Sequence, residues 1–392
     1  MNAPSKIVDH LVIGGGPAGS MLACLLAEAG HNVTILEKER GAHHKVCGEF
    51  LSAEAVGYLR RIGLSPEKLG ATRIRAVRLS SLAAVAEAAL PFSALSLSRY
   101  VLDEALLARA LNAGCEVQRG KCAGALAFEN GVWSARFNDG ESVRAQTVFL
   151  ATGKHDLHGW QRTHGRQSDL IGFKLHWQLA SAQTDALRDV MELFLFPGGY
   201  GGLSLVERDA ANLCLVVKRS ALRRMGDWTN LLRSILAGNR RVAEVLQGAN
   251  PLWPRPLAIS PIPYGYAAQQ ARGLWRLGDQ AAVIPSFTGD GMAIALHSAS
   301  LAAQMYLEGE SADAYTRALH EQLRGPVSLA VRLSQAAVTG TGRIAGPFAL
   351  AMLPGAMRWI AASTRVPASA LLSGNDAPAP ARSALPTSSQ AR

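Results

Sequence analysis

The first 37 residues alternate between short apolar runs and glycine-marked turns. The run IVDHLVI over 7–13 is short, β-branched and ends on three glycines, the pattern of a strand buried on both faces. Small apolar residues then recur at helical spacing over 18–29 (AGSMLACLLAEA), and Gly30 supplies a C-cap. A second strand, NVTIL over 32–36, stops at Glu37. A β-α-β unit of about thirty residues predicts a parallel pair joined by a right-handed crossover.

Farther along, Leu102, Ala105, Leu106, Arg109 and Ala110 mark a helix over 98–113. Asn130-Gly131 and Asp139-Gly140 are hairpin-turn signals between short strands. The run TVFLA over 147–151 predicts another buried strand, ending at Thr152-Gly153. Between 156 and 259 the pattern mixes strands (191–196 and 212–217) with a helix around 228–236. A strand over 274–277 runs into Gly278-Asp279, and a helix starts near Gly291 and reaches Leu307. No internal repeat is visible. After about Val366 the chain is rich in Ala, Pro and Ser, which predicts a disordered tail.

The first candidate site is Gly14-Gly15-Gly16-Pro17-Ala18-Gly19, a G-x-G-x-x-G between strand and helix. Gly14 permits a tight turn, Gly16 lets a pyrophosphate approach the backbone, and Gly19 lets the helix pack close to the sheet. The helix N-terminus then offers N–H groups and its positive dipole end to phosphates. Glu37 closes the second strand, where a carboxylate accepts from ribose hydroxyls and repels a 2′-phosphate. Together these predict dinucleotide binding and leave FAD and NAD undivided.

The 392-residue chain has room for two or three domains, and 48 % hydrophobic against 18 % charged residues describes a globular chain. The five cysteines (Cys24, Cys47, Cys115, Cys122 and Cys214) are scattered and contain no C-x-x-C, so neither a zinc ribbon nor a thioredoxin-like site is supported. No signal peptide is recognisable, and a reducing cytoplasm is the default expectation. The uncharged stretch 344–357 is too short to span a bilayer and is interrupted by Pro347 and Pro354. From Arg317 onward there are eight Arg, no Lys and two acids, so that region carries +6 of the net +10. A basic, apolar C-terminal region of this kind suits either peripheral membrane association or a helical cap over the first domain. Nucleic acid is not expected, because no recognised binding motif occurs.

A second motif divides the cofactors. Arg276-Leu277-Gly278-Asp279-Gln280-Ala281-Ala282, followed by Pro285 and Thr288-Gly289-Asp290-Gly291-Met292, resembles the second FAD motif of para-hydroxybenzoate hydroxylase-like and geranylgeranyl reductase-like flavoproteins. The resemblance implies FAD, with Asp279 on the ribityl chain and Gly289, Asp290 and Gly291 along the pyrimidine edge of the flavin. A helix starting near Gly291 would also stabilise negative charge on reduced flavin. Arg99 matches an Arg that these proteins place near the FAD chain. The segment Lys45-Val46-Cys47-Gly48-Glu49 is similar to their Cys-Gly segment beside the flavin, which makes Lys45, Cys47 and Gly48 site candidates along with Lys38. Gly198 to Gly202 and the strand after them loosely resemble the substrate-domain sheet.

The implied fold is α/β: a Rossmann-type, glutathione reductase-like FAD domain (1–75, 98–160 and 260–310), an inserted antiparallel-sheet substrate domain (76–97 and 161–259), a helical C-terminal region (311–365) and a tail (366–392). Flavin carries the electron chemistry, so the protein need add only placement and a proton. Cys47 and Tyr200 are the catalytic candidates, each with a plain packing role as its alternative. The histidines at 155, 158, 164 and 176 show no metal-site spacing and read as surface or core residues.

The implied activity is FAD-dependent oxidation or reduction of an apolar organic substrate. Monooxygenation and geranylgeranyl reductase-like double-bond reduction both stay open, with a non-catalytic flavin-binding protein as the alternative. The segment Ala151-Thr152-Gly153-Lys154-His155-Asp156 lacks the Asp-Gly motif of many aromatic hydroxylases, so NAD(P)H stays open as the electron donor. No W-x-W-x-I-P string is present, which speaks against a tryptophan-type halogenase, and the lone Cys47 speaks against a disulfide reductase.

Overall fold

The computed structural model describes residues 7–82 and 84–372. Strand β1 (Ile7–Ile13), helix α1 (Pro17–Glu28) and strand β2 (Val33–Glu37) form the opening unit. Then come β3 (Phe50–Leu51), α2 (Ala53–Arg61), β4 (Thr72–Ser80), β5 (Val85–Ser96), α3 (Arg99–Asn112), β6 (Glu116–Arg119), β7 (Ala123–Glu129), β8 (Val132–Phe137) and β9 (Ser142–Leu150). The middle of the chain holds β10 (Leu170–Gln178), α4 (Ser181–Leu187), β11 (Asp189–Phe196), β12 (Gly199–Leu205), β13 (Ala211–Lys218), α5 (Arg219–Met225), α6 (Trp228–Gly238), α7 (Arg240–Val245), β14 (Asn250–Pro251) and β15 (Leu257–Ile259). The rest is β16 (Trp275–Arg276), α8 (Gly291–Leu307), α9 (Ala312–Ala337), α10 (Gly340–Met352) and α11 (Pro354–Ser363).

The first sheet runs β6-β2-β1-β9-β8-β7, with β16 also on β9. Its β6, β2, β1, β9 and β16 are mutually parallel, and the β7-β8-β9 hairpins close one side. The apolar opening strand sits between two parallel neighbours, pairing Ile13 with Leu36 on one side and Leu150 on the other. That explains its unbroken hydrophobicity. Both its flanking helices, α1 and α8, are apolar around most of their surface and pack together in the main core.

The second sheet runs β14-β10-β13-β12-β11-β4-β5-β3, with β15 also on β10. It is antiparallel except where β11 meets β4. Period-two alternation divides its faces. Phe173, Leu175, Trp177, Leu213, Leu215 and Val217 enter a core shared with Leu231, Ile235 and Val242 of α6 and α7. The alternate positions Lys174, His176, Asn212, Cys214 and Val216 therefore point the opposite way, toward the first domain.

Two expected boundaries move. The boundary placed at 75/76 falls inside β4, and Phe50–Leu51 also joins the second sheet, as the antiparallel partner of β5. The C-terminal helices α9 to α11 fall within the region expected to be helical. The segment expected to be a loose tail from 366 is packed as far as Leu372, with Val366 buried, and 373–392 lie outside the described residues. Among the described residues no single helix is long and apolar enough to cross a membrane.

Candidate functional site

A cavity of about 730 Å³ runs between the two sheets and under α10 and α11. At one end it is lined by Gly14, Gly16, Pro17 and Ala18 of the fingerprint, with Glu37 and Lys38. Lys45, Cys47, Gly48, Arg99, Gly278, Asp279, Gly289, Gly291 and Met292 also line it. The other end is apolar, with Leu79, Leu90, Phe92, Leu193, Leu350, Met357 and Ile360 on its walls.

The fingerprint fits a dinucleotide diphosphate. Gly16 is the N-cap of α1 and has no side chain to satisfy the first-turn N–H groups, and no acidic residue occupies that turn. Those donors are left for an anion. Gly14 takes φ +110°, and a Cβ there would strike the Ala151 carbonyl. Glu37 is buried; its Oε2 accepts from the Gly15 N–H at 2.9 Å and its Oε1 from the Glu39 N–H at 3.0 Å. The carboxylate is thereby held at the cavity edge with lone pairs to spare for ribose hydroxyls. The flavin-turn residue Gly289 takes φ +74°, and a Cβ there would meet the Phe50 ring at 2.5 Å. Helix α8 follows with no side-chain cap on its N-terminus.

Three of the sequence-expected cofactor residues do not face the cavity. Gly19 packs α1 against the sheet beside Ala151, so its role is close helix–strand approach. Pro285 caps the short 3-10 turn before Gly289 and accepts from Thr288. Asp290 is buried with its carboxylate bound to the Val366 N–H at 2.9 Å, away from the flavin edge assigned to it. Burial pushes its carboxyl up to about 7, and the Arg365 guanidinium pulls the other way.

Arg99 lines the cavity but is held by Asp103, one helical turn on, through Nε at 2.6 Å and Nη2 at 2.8 Å. Lys45 Nζ reaches the same carboxylate at 2.8 Å. Burial would lower the Arg99 guanidinium, but Asp103 outweighs it and holds the group raised. Tyr200 is a wall residue: its ring meets Phe287 edge-on and its hydroxyl lies 3.2 Å from Ser334 Oγ. Burial raises that phenol well above its ordinary value, so it stays protonated. Cys47 lines the cavity, and its Sγ accepts from the Glu49 N–H at 3.4 Å.

Several residues were not singled out in advance. Lys154 lines the cavity where the Asp-Gly motif would stand, with Nζ 3.3 Å from Asp279 Oδ2 and 3.5 Å from the Val46 carbonyl. Asp279 raises this ammonium. Arg162 and Gln280 fix the segment by donating to the carbonyls of Gly153, Lys154 and His155. Beneath Cys47, Glu49 is wholly buried and takes the left-handed φ of +58°, a strained setting for a residue with a side chain. Its carboxylate accepts from the Arg99 N–H at 2.8 Å, pairs with Lys174 Nζ, and lies 2.8 Å from His176 Nε2. His176 thus leaves the group of unassigned histidines for a buried role. His44, Glu49 and His176 bring metal-type donor atoms within 4.8 Å, but the Lys174 ammonium already neutralises the carboxylate they share.

A protein-family model described as an FAD binding domain matches residues 8–155. The menaquinone reductase of Mycolicibacterium smegmatis is 26 % identical over 347 residues, 83 % of each chain. The digeranylgeranylglycerophospholipid reductase 2 of Methanopyrus kandleri is 28 % identical over 320 residues, 78 % of each. Among solved structures, the myxobacterial chondrochloren halogenase CndH superposes with a TM-score of 0.73 at 19 % identity, covering 93 % of this chain and 95 % of its own. The halogenase PltM gives 0.71 at 15 % identity, covering 84 % of this chain and 76 % of its own. At such identities the structural likeness shows the shared fold alone. With its diphosphate cradle, second motif and domain match agreeing, the chain binds FAD and is an FAD-dependent oxidoreductase, similar over most of its length to flavoprotein reductases.

Proposed function

We propose that this chain is a reductase that uses FAD to reduce an apolar, isoprenoid-bearing substrate taken from a membrane surface. The observation that carries the reading is one continuous cavity, which begins at the FAD cradle and ends among Leu, Phe, Met and Ile side chains. An apolar substrate gains about 25 cal/mol for each Å² it removes from water there. The names of the matched relatives, a menaquinone reductase and a digeranylgeranylglycerophospholipid reductase, describe reductions of isoprenoid-bearing molecules and support the same direction.

Bound FAD supplies the hydride chemistry. The chain's residues bind and orient: the α1 N-terminus for the diphosphate, Glu37 for ribose, Asp279 for the ribityl chain, and the turn at Gly289 and Gly291 for the pyrimidine edge. The apolar walls exclude water from the reacting end. The electron donor would be NAD(P)H or another reductant, and stopped-flow mixing of the holoprotein with NAD(P)H distinguishes the two.

The deciding experiment is anaerobic mixing of the chemically reduced holoprotein with a prenylated naphthoquinone and with an unsaturated prenyl lipid. Reoxidation of the flavin with matching formation of quinol or saturated lipid supports the proposal. Substrate-stimulated oxygen uptake, with no anaerobic reoxidation, would establish a monooxygenase in its place. Slow flavin reoxidation indifferent to every substrate would point to a non-catalytic flavin-binding protein.

A further inference from the structure

Asp290 belongs by sequence to the flavin turn, yet its carboxylate serves the C-terminal chain. The Val366 N–H donates to its Oδ2 at 2.9 Å, and Arg365 Nη2 stands 3.9 Å from its Oδ1. Arg365 is buried, with Nη2 3.2 Å from Glu54 Oε2 on α2 and its guanidinium carbon 3.4 Å from the centre of the Phe92 ring. The guanidinium lies on an aromatic face and within ion-pair distance of both carboxylates without hydrogen-bonding to either, so it holds this corner by stacking and charge, which suits arginine better than lysine. Beyond it the chain crosses α2: the Leu372 N–H donates to the Tyr58 hydroxyl at 3.4 Å, and Arg61 Nη1 donates to the Leu372 carbonyl at 3.0 Å. Residues 364–372 therefore form a strap, 76 residues away in sequence from the turn that it grips.

The strap's first residue and the turn that it grips both reach the cavity. Ile360, Ala361 and Thr364, immediately before Arg365, line it on the lid side, while Gly289 and Gly291, on either side of Asp290, line it on the cofactor side. A displacement of the turn must therefore move the last turn of α11 or break the contacts at Asp290.

We propose that Arg365 and Val366 are positioning residues that couple the flavin turn to the lid formed by α10 and α11, so that FAD binding orders the lid over the apolar end of the cavity. The inference rests on the FAD assignment and is independent of which substrate is reduced. Coupling of this kind is reciprocal: what FAD does for the lid, an ordered lid does for FAD affinity.

The test is limited trypsin digestion of the full chain, with and without FAD, following cleavage after Arg343 and Arg358, alongside FAD titration by fluorescence. Saturating FAD is expected to slow both cleavages on the order of tenfold. Arg365→Gln abolishes that protection and weakens FAD binding by a comparable factor. Val366→Pro, which keeps the arginine and deletes the donated N–H, does the same and serves if Arg365→Gln does not fold. Cleavage indifferent to FAD in the native chain would overturn the proposal, as would protection that persists in either variant. A native chain that binds no FAD at all would instead overturn the cofactor assignment.

Discussion

Lys174 and Glu49 stand 125 residues apart and form an ion pair in which neither side chain has any exposed surface. Lys174 comes from β10 of the second sheet, and Glu49 follows the Cys47 segment beside the FAD cradle. The pair thus joins the two halves of the molecule at the cavity wall. Removing one partner leaves the other charge buried and unpaired, at a cost of about 3–5 kcal/mol. Lys174→Met should lower Tm on the order of 10 °C, and pairing it with Glu49→Gln, which removes the unpaired charge and can still accept from the Arg99 N–H, should restore part of the loss. An unchanged Tm in the single variant would refute this account.

The same pair sets an acid limit. Burial alone would push the Glu49 carboxyl up, but Lys174 and His176 outweigh it and hold the group below its ordinary value. A depressed folded-state value contributes stability that is complete above the unfolded value near ~4.3 and is lost as pH falls through the folded one. Thermal denaturation from pH 6 down to pH 3 should show this loss in the native chain, and Glu49→Gln should flatten it while lowering stability throughout.

Asp290 carries the opposite sign. Its carboxyl is raised to about 7, first by burial, with Glu54 adding to the shift against Arg365. Ser52 and the Val366 N–H also face it. A raised folded value means the native state holds the proton that the unfolded state gives up. Stability conferred at this position is therefore greatest below ~3.9 and declines as pH rises toward 7. Asp290→Asn should flatten the dependence of Tm on pH between 5 and 7. An unaltered slope would show that Asp290 ionises freely in the folded chain.

The local parts of this molecule were legible in its residues. The β-α-β unit, the fingerprint and the helix from Gly291 to Leu307 depend on neighbours within a few tens of positions, and spacing alone exposes them. What was hidden depends on distant partners. The sequence around Asp290 reads as cofactor-facing because its glycines do face the cavity, and nothing nearby announces that residue 366 takes its carboxylate. Glu49, Lys174 and His176 look like ordinary polar residues of two distant segments until alternation along β10 turns the last two to one face. The period-two pattern of that strand was the available signal, and a lysine and a histidine on its non-core positions were its trace.

The outward face of α10 and α11 is unusually apolar. Ile344, Phe348, Met352, Leu353 and Trp359 are all more than half exposed, with Arg343 and Arg358 among them. We infer that this face lies on an anionic bilayer, where each buried apolar side chain adds affinity and the arginines meet lipid headgroups. The protein should co-sediment with vesicles containing phosphatidylserine, less so in high salt. Phe348→Asp combined with Trp359→Glu should release it while leaving FAD binding intact. Equal sedimentation of native and doubly substituted chains would exclude this face as the contact.

Gly346 separates the two tasks of the lid. It lies in α10, lines the cavity, and a Cβ built on it would have nothing within 4 Å. Leucine there favours the helix by roughly 0.5–1 kcal/mol over glycine, so the helix backbone does not oppose the substitution. Its side chain would occupy space at the apolar end of the cavity, far in sequence from the fingerprint and outside the strap. Gly346→Leu should therefore raise KM for a long prenyl substrate several-fold more than for a short one. FAD affinity and the rate at which the flavin is reduced should not change. Equal KM values for both chain lengths would mean that the substrate does not extend beneath α10, and would move the apolar binding region to the walls formed by β4, β5 and β11.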